Sequence, residues 1–152
     1  MRVSDRLALF LARGLGTGRV PWAPGTVGSL LGIPLGLALA MSGWGLAVQV
    51  TALAGCVALA CLVAERAESL LPEHDSGEIV IDEIVGMAVA MLGHGTDPFG
   101  VVVLFLAFRF ADIVKPWPVR AIDRRVPGGI GVVLDDVVAG LYANLFARAI
   151  GI

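Results

Sequence analysis

Charge is what this sequence has least of. Charged residues make up 16% of the chain and hydrophobic residues 57%, whereas an average soluble domain is about 25% charged and about 45–50% apolar. The 152 residues favour one domain spanning 1–152. A domain of that size must still cover its core with polar surface, and this chain has too little polar material to do so. Lipid is expected to cover part of it. The shortage is uneven, since no charged residue occurs from Val20 through Ala64. No basic stripe is present and the net charge is -2, which excludes a nucleic-acid footprint. Lysine is almost missing: Lys115 stands alone beside ten arginines. Cysteine is scarce too. Cys56 and Cys61 lie five apart in an apolar run and match neither a disulfide framework nor a zinc pattern, so they are read as lipid-facing or packing residues.

What is present is mostly helical. The uncharged stretch has an apolar core from about Leu30 to Ala64, longer than the roughly 20 residues that one spanning helix needs. Pro34 and the turn Ser42-Gly43-Trp44-Gly45 divide it, giving a hairpin of helices over 27–41 and 45–70. Arg13 and Arg19 interrupt the N-terminal apolar stretch and argue against a cleaved signal peptide. Arginines flank the hairpin before and after, and basic residues near short loops stay in the cytoplasm. Both flanks are therefore expected on the cytoplasmic side. Residues 71–77 read as a polar loop, 78–92 as a helix and 93–100 as a turn. The segment 101–112 is a helix by length, although its β-branched start also suits a buried strand. A short basic helix or turn at 119–125 precedes a flexible PGGIG loop at 127–131 and a final helix over 132–150. The fold class is all-α.

Five clusters interrupt the apolar background. In Pro24-Gly25-Thr26-Val27-Gly28-Ser29, Thr26 is placed to cap a helix N-terminus, and the same N–H groups can instead receive a phosphate. Asp82 and Glu83 sit between apolar residues, where unpaired carboxylates are costly. They form either a capped acidic turn or part of a functional site. Arg109, Asp112 and Lys115 share a spacing of three and hence one helical face, as a salt-bridge ladder or as a polar cavity wall. Asp123-Arg124-Arg125 beside the glycine loop suits oxyanions or anionic headgroups. Asp135-Asp136, at the expected mouth of the last helix, are favoured by its dipole but exceed what one cap needs. Asp82, Glu83, Asp112 and Asp136 would suit Mg²⁺, a hard cation that prefers carboxylate oxygens, if their helices converge. His74 and His94 read as solvated loop residues. No Ser-His-Asp order is evident, and neither cysteine has a base nearby, which disfavours a covalent Ser or Cys mechanism.

Taken in order, these stretches resemble the phosphatidylglycerophosphatase A family. The resemblance rests on GTGRVPWAPGTVGSL (16–30), EIVIDEIVGM (78–87), FRFADIVKPWPVRAIDR (108–124) and GGIGVVLDDVVAGLYA (128–143). The combination PGTxGS, IDExVG, FRxxDIxKPxP and GGxGxxxDDxxAG is specific where each piece alone is weak. It implies a compact bundle of about six helices, with one helix surrounded by others and the apolar hairpin inserted in the membrane. It also implies Mg²⁺-dependent hydrolysis of phosphatidylglycerophosphate to phosphatidylglycerol and phosphate, at the bacterial inner membrane with the site facing the cytoplasm. The metal set it implies is drawn from Asp82, Glu83, Asp112, Asp135 and Asp136. The implied phosphate contacts are Thr26, Arg109, Lys115, Arg124 and Gly129. Two alternatives stay open: a non-enzymatic membrane subunit or small cation transporter using the same carboxylates, and a phosphatase of water-soluble phosphomonoesters. Oligomeric state is not indicated.

Overall fold

The computed structural model describes residues 2–72 and 76–152; His74 lies outside them. Seven α-helices and one 3₁₀ segment form the described chain: α1 (Val3–Ala12), the 3₁₀ segment (Gly14–Arg19), α2 (Pro24–Met41), α3 (Leu46–Glu68), α4 (Ile81–Met91), α5 (Pro98–Val114), α6 (Val119–Arg125) and α7 (Gly128–Ala149). The segment that was open to a strand reading is helical. Asp97 accepts from the Gly100 N–H at 2.8 Å and Pro98 fills the first helical position, both helix-start signals. The apolar hairpin is α2 and α3. These two and α7 are long and apolar enough to cross a membrane.

At about 16 Å, α4 is too short to span a bilayer core. It is the enclosed helix, packed against α2, α3, α5 and α7. Every residue from Val85 to Met91 is buried. Small residues allow the neighbours to come close, as in membrane bundles. On α2, Gly25, Gly28, Gly32 and Gly36 line the face toward α4. A Cβ on Gly28 would stand 2.8 Å from Val80 Cβ, and one on Gly36 would stand 2.5 Å from Met91 Sδ. On the other side α7 crosses at Gly140, where a Cβ would overlap the Gly86 carbonyl oxygen. The fully buried Phe108 ring fills the space beside Gly86.

The last carbonyls of a helix lack intrahelical partners. For α4, α7 supplies them. The Asn144 amide donates to the Ala90 and Leu92 carbonyls at 2.9 and 2.8 Å, and Arg148 donates to Leu92 O at 3.1 Å. One end of the central helix is thereby closed, which leaves its N-terminal end, carrying Asp82 and Glu83, as the open one.

Five expectations need correction. The helix expected from 78 begins at Ile81, because Val80 leaves helical geometry and gives its N–H to Ala12 O at 2.9 Å. Thr26 is not the cap of α2: the helix starts at Pro24, after Ala23 in the left-handed region. Most of the PGGIG loop is the first turn of α7. Its glycines serve close packing, since a Cβ on Gly129 would overlap the Glu65 backbone and one on Gly131 the Val126 carbonyl. Asp135 and Asp136 therefore lie about two turns inside α7, not at its mouth. An N-terminal helix, α1, was not expected. It is tied to α3 by Arg66, which donates to Asp5 at 2.6 Å.

Two predictions follow from the packing and the ion pair. Gly140→Ala would gain about 1 kcal/mol of helix propensity, but it sets a methyl group against unyielding backbone, and overpacking costs about 1–3 kcal/mol. The net change is destabilising. Gly55→Ala, where a Cβ meets nothing within 4 Å, has only the gain. Thermal unfolding in detergent should move the two variants in opposite directions. Asp5 is held below the ordinary carboxylate range by the Arg66 hydrogen bond and then by the Arg2 N–H. A lowered folded pKa stabilises above the unfolded value, and that stability is lost as pH falls through the folded one. Asp5→Asn should thus unfold earlier than the parent at pH 7, and melting curves taken at strongly acidic pH should coincide.

Candidate active site

The N-terminal end of α4 opens into a cavity of about 420 Å³. Asp82 and Glu83 enter from the first turn of α4, Asp112 from the end of α5, and Asp135 and Asp136 from α7, with Lys115 and Asp123 at its edge. Adjacent carboxylates diverge by about 100° on a helix. They still meet here, because they sit at a helix end and α7 crosses close by. One oxygen from each of Asp82, Glu83 and Asp136 falls in a group whose members all lie within 4.8 Å of one another.

The electrostatics of this group are unbalanced. Asp82 Oδ1, Glu83 Oε2 and Asp136 Oδ2 are buried oxygens that lack a hydrogen-bond donor among the described residues. Burial pushes the Asp82 carboxyl well above the ordinary carboxylate range, and the Glu83 charge adds to it. Glu83 is raised as well, again mainly by burial. Such crowding is costly unless a positive charge enters among the oxygens. The unpartnered oxygens fit a hard divalent cation, whose ligands are carboxylates and water.

The cationic groups flank this cluster. Arg109 donates to Asp112 Oδ2 at 2.6 Å, and the same nitrogen lies 3.4 Å from Ser29 Oγ. Ser29 is fully buried and its hydroxyl donates to Gly25 O at 2.7 Å. Gly25 leaves room beside both Glu83 and Arg109. Lys115 departs from the shared helical face with Arg109 and Asp112. It caps α5 in the left-handed region, which turns its ammonium toward Asp123 at 2.5 Å and Asp135 at 2.8 Å. Burial works to lower its pKa, but those two hydrogen bonds outweigh it and hold the lysine charged.

Of the residues singled out in the sequence, Asp82, Glu83, Asp112, Lys115, Asp135 and Asp136 share the cavity, and Arg109 reaches it through Asp112. Asp135 is engaged by Lys115. Arg124 faces a neighbouring cavity. The Gly129 N–H is given to Glu65 Oε2 at 2.6 Å. Thr26 lies in the first turn of α2 and does not line the cavity. Ser29 and Gly25 had no role assigned. The PGTxGS spacing was their signal, and its weight falls on the first glycine and the serine and not on the threonine. His94 is half-buried and stands apart from the site.

Fold and site together define a class: a helical bundle with helices long enough to cross a bilayer, whose single enclosed short helix presents clustered carboxylates beside an arginine and a lysine. The comparisons narrow it. The family model described as phosphatidylglycerophosphatase A matches residues 10–151, and the chain belongs to that family. It is 38% identical to phosphatidylglycerophosphatase A of Escherichia coli (strain K12), over 88% of this chain and 77% of that protein. With phosphatidylglycerophosphatase A of Haemophilus influenzae it shares 37% identity, over 92% and 86%. A putative phosphatidylinositol-3-phosphatase of Bacteroides thetaiotaomicron is 35% identical, over 94% and 92%. No solved structure gives a significant match.

The geometry ranks two neighbours of the cluster. Arg109→Gln removes the cation that holds Asp112 at the cavity and should lower the family's phosphatase activity by at least about a hundredfold in kcat. Ser29→Ala leaves the Arg109–Asp112 pair in place and should cost only a few-fold. Phosphate-release kinetics on the two variants check the order.

Proposed function

We propose that this protein hydrolyses the terminal phosphomonoester of phosphatidylglycerophosphate, releasing phosphatidylglycerol and phosphate, with Mg²⁺ as its metal. It acts in the bacterial inner membrane with its site on the cytoplasmic side. The observation that carries this reading is the convergence of Asp82, Glu83 and Asp136 within 4.8 Å, with unpartnered oxygens. Similarity over most of the chain to two proteins named phosphatidylglycerophosphatase A supports the substrate. The arginines flanking the apolar hairpin support the cytoplasmic orientation.

In this reading Asp82, Glu83 and Asp136 hold the cation. A bound Mg²⁺ would neutralise nonbridging phosphate oxygens and lower the pKa of a bound water. The remaining work belongs to the chain. Asp112, oriented by Arg109, accepts the proton of the attacking water. The water oxygen forms its bond to phosphorus as the phosphorus–oxygen bond to the glycerol breaks; the leaving oxygen takes a proton from solvent in the cavity, and Asp112 returns the proton it accepted to solvent. Arg109 and Lys115 stabilise the charge that spreads over the transferring group. Asp135 holds Lys115 in the cavity wall.

A subunit or transporter built on the same carboxylates would need them strung along a path through the membrane. Their gathering at one helix end favours the phosphatase. Asp82→Asn should abolish divalent-dependent phosphate release while circular dichroism still reports a helical protein; full activity of that variant would sink the site assignment. Chelation should stop the wild-type reaction, and added Mg²⁺ should restore it. Lipid and water-soluble phosphomonoesters assayed side by side test the substrate class, and faster turnover of the soluble compound would overturn it.

A further inference from the structure

Lys115 lines two cavities, not one. The second lies between the end of α5 and α6, holds about 410 Å³, and is bounded by Arg120, Arg124, Arg125 and Trp117. Among the described residues no acidic side chain lines it. Arg120 donates to Val114 O at 3.2 Å. Arg124 and Arg125 have no carboxylate partner among the described residues. Three guanidinium groups around one space, none neutralised by an acid among the described residues, form a surface for an anion with several oxygens.

Two continuities select the anion. Through Lys115 the basic cavity adjoins the carboxylate cavity, so a ligand can occupy both. Through Pro116 it adjoins a third, of about 610 Å³, formed by Val103, Leu106, Phe110, Tyr142 and Phe146 of α5 and α7. That groove is apolar and its side chains are partly exposed. The order along the surface is therefore reacting site, anion site, apolar groove. A phosphomonoester joined by a short polar spacer to a phosphodiester, and through it to an acyl chain, has its groups in the same order.

Resting on the phosphatase reading, we propose that Arg120, Arg124 and Arg125 form a second anion subsite. It holds the non-reacting phosphodiester of an anionic phospholipid substrate, whose acyl chain leaves along the α5–α7 groove. The subsite gives the enzyme a grip that a small water-soluble phosphomonoester cannot use. Arg124 thereby serves the spectator phosphate and not the one that is transferred.

The test needs no turnover, so its outcome is separable from that of the phosphatase assay. A short-chain phosphatidylglycerol carries the phosphodiester and acyl chains but no phosphomonoester. Its binding to the full chain in detergent is measured by calorimetry. Arg120→Gln with Arg124→Gln should weaken it by at least about tenfold. Both side chains are exposed, so the fold should persist. Arg120→Lys with Arg124→Lys, which keeps the charge, should recover part of the affinity, a rescue that a misfolded protein would not give. Unchanged affinity in the Gln double variant overturns the subsite. Complete displacement of the lipid by equimolar inorganic phosphate also overturns it, because the arginines would then be holding free phosphate.

Discussion

Three carboxylates, each with a buried oxygen that no donor among the described residues satisfies, converge in one small volume of a largely apolar bundle. Uncompensated, that arrangement works against folding, since each buried charge loses its hydration and repels its neighbours. It persists only where the surrounding structure holds it. Much of the fold can be understood as what is needed to hold it. Asp82 and Glu83 must reach one point from adjacent positions on α4, so they stand at a helix end. Asp136 must reach that point from α7, so α7 must cross α4 at backbone distance.

Glycine and alanine make that distance possible. Gly140 against Gly86 brings α7 onto α4, and the α2 glycines bring the opposite neighbour in. Ala139, Ala143 and Ala147 continue the close packing along α7. With lipid covering the outer faces, there is little hydrophobic drive between helices. Close van der Waals contact and internal hydrogen bonds carry the association instead. The Asn144 and Arg148 bonds to the far end of α4 belong to the same economy of polar groups. They satisfy the carbonyls that water would otherwise reach.

Patterning and spacing revealed the helical class, the hairpin and the position of α6, because those depend on local signals such as long apolar runs and proline or glycine punctuation. The acidic pairs stood out for a similarly local reason, being charges in an uncharged background. What stayed hidden depends on tertiary contact. Gly128 to Gly131 look like a loop to any local rule, yet they are helical because α3 packs against them. Val80 lies within a helical pattern, but Ala12 takes its N–H and delays the helix by one turn. Lys115 fits the three-residue spacing of Arg109 and Asp112. Its left-handed backbone, which the following Pro116 leaves no helix to continue, turns it toward α6 and α7. Ser29 is a small polar residue in an apolar helix, and nothing local says that Arg109 lies beside it.

The single lysine now has a physical setting. An arginine at position 115 would be as permanently charged, but its planar fork pairs best with one carboxylate face-on. A lysine is a compact charge with three donors on a flexible stem. It can satisfy Asp123 and Asp135 together, from different helices, and still leave a donor for the cavities on either side. Held charged by those two carboxylates despite partial burial, it forms a fixed positive joint between the carboxylate cavity and the arginine cavity. The chain's scarcity of charge is thus selective. Asp82, Glu83, Asp112, Lys115, Asp135 and Asp136 share one cavity, and the burial of Asp82, Asp135 and Asp136 strengthens the interactions among these groups relative to those at the exposed surface.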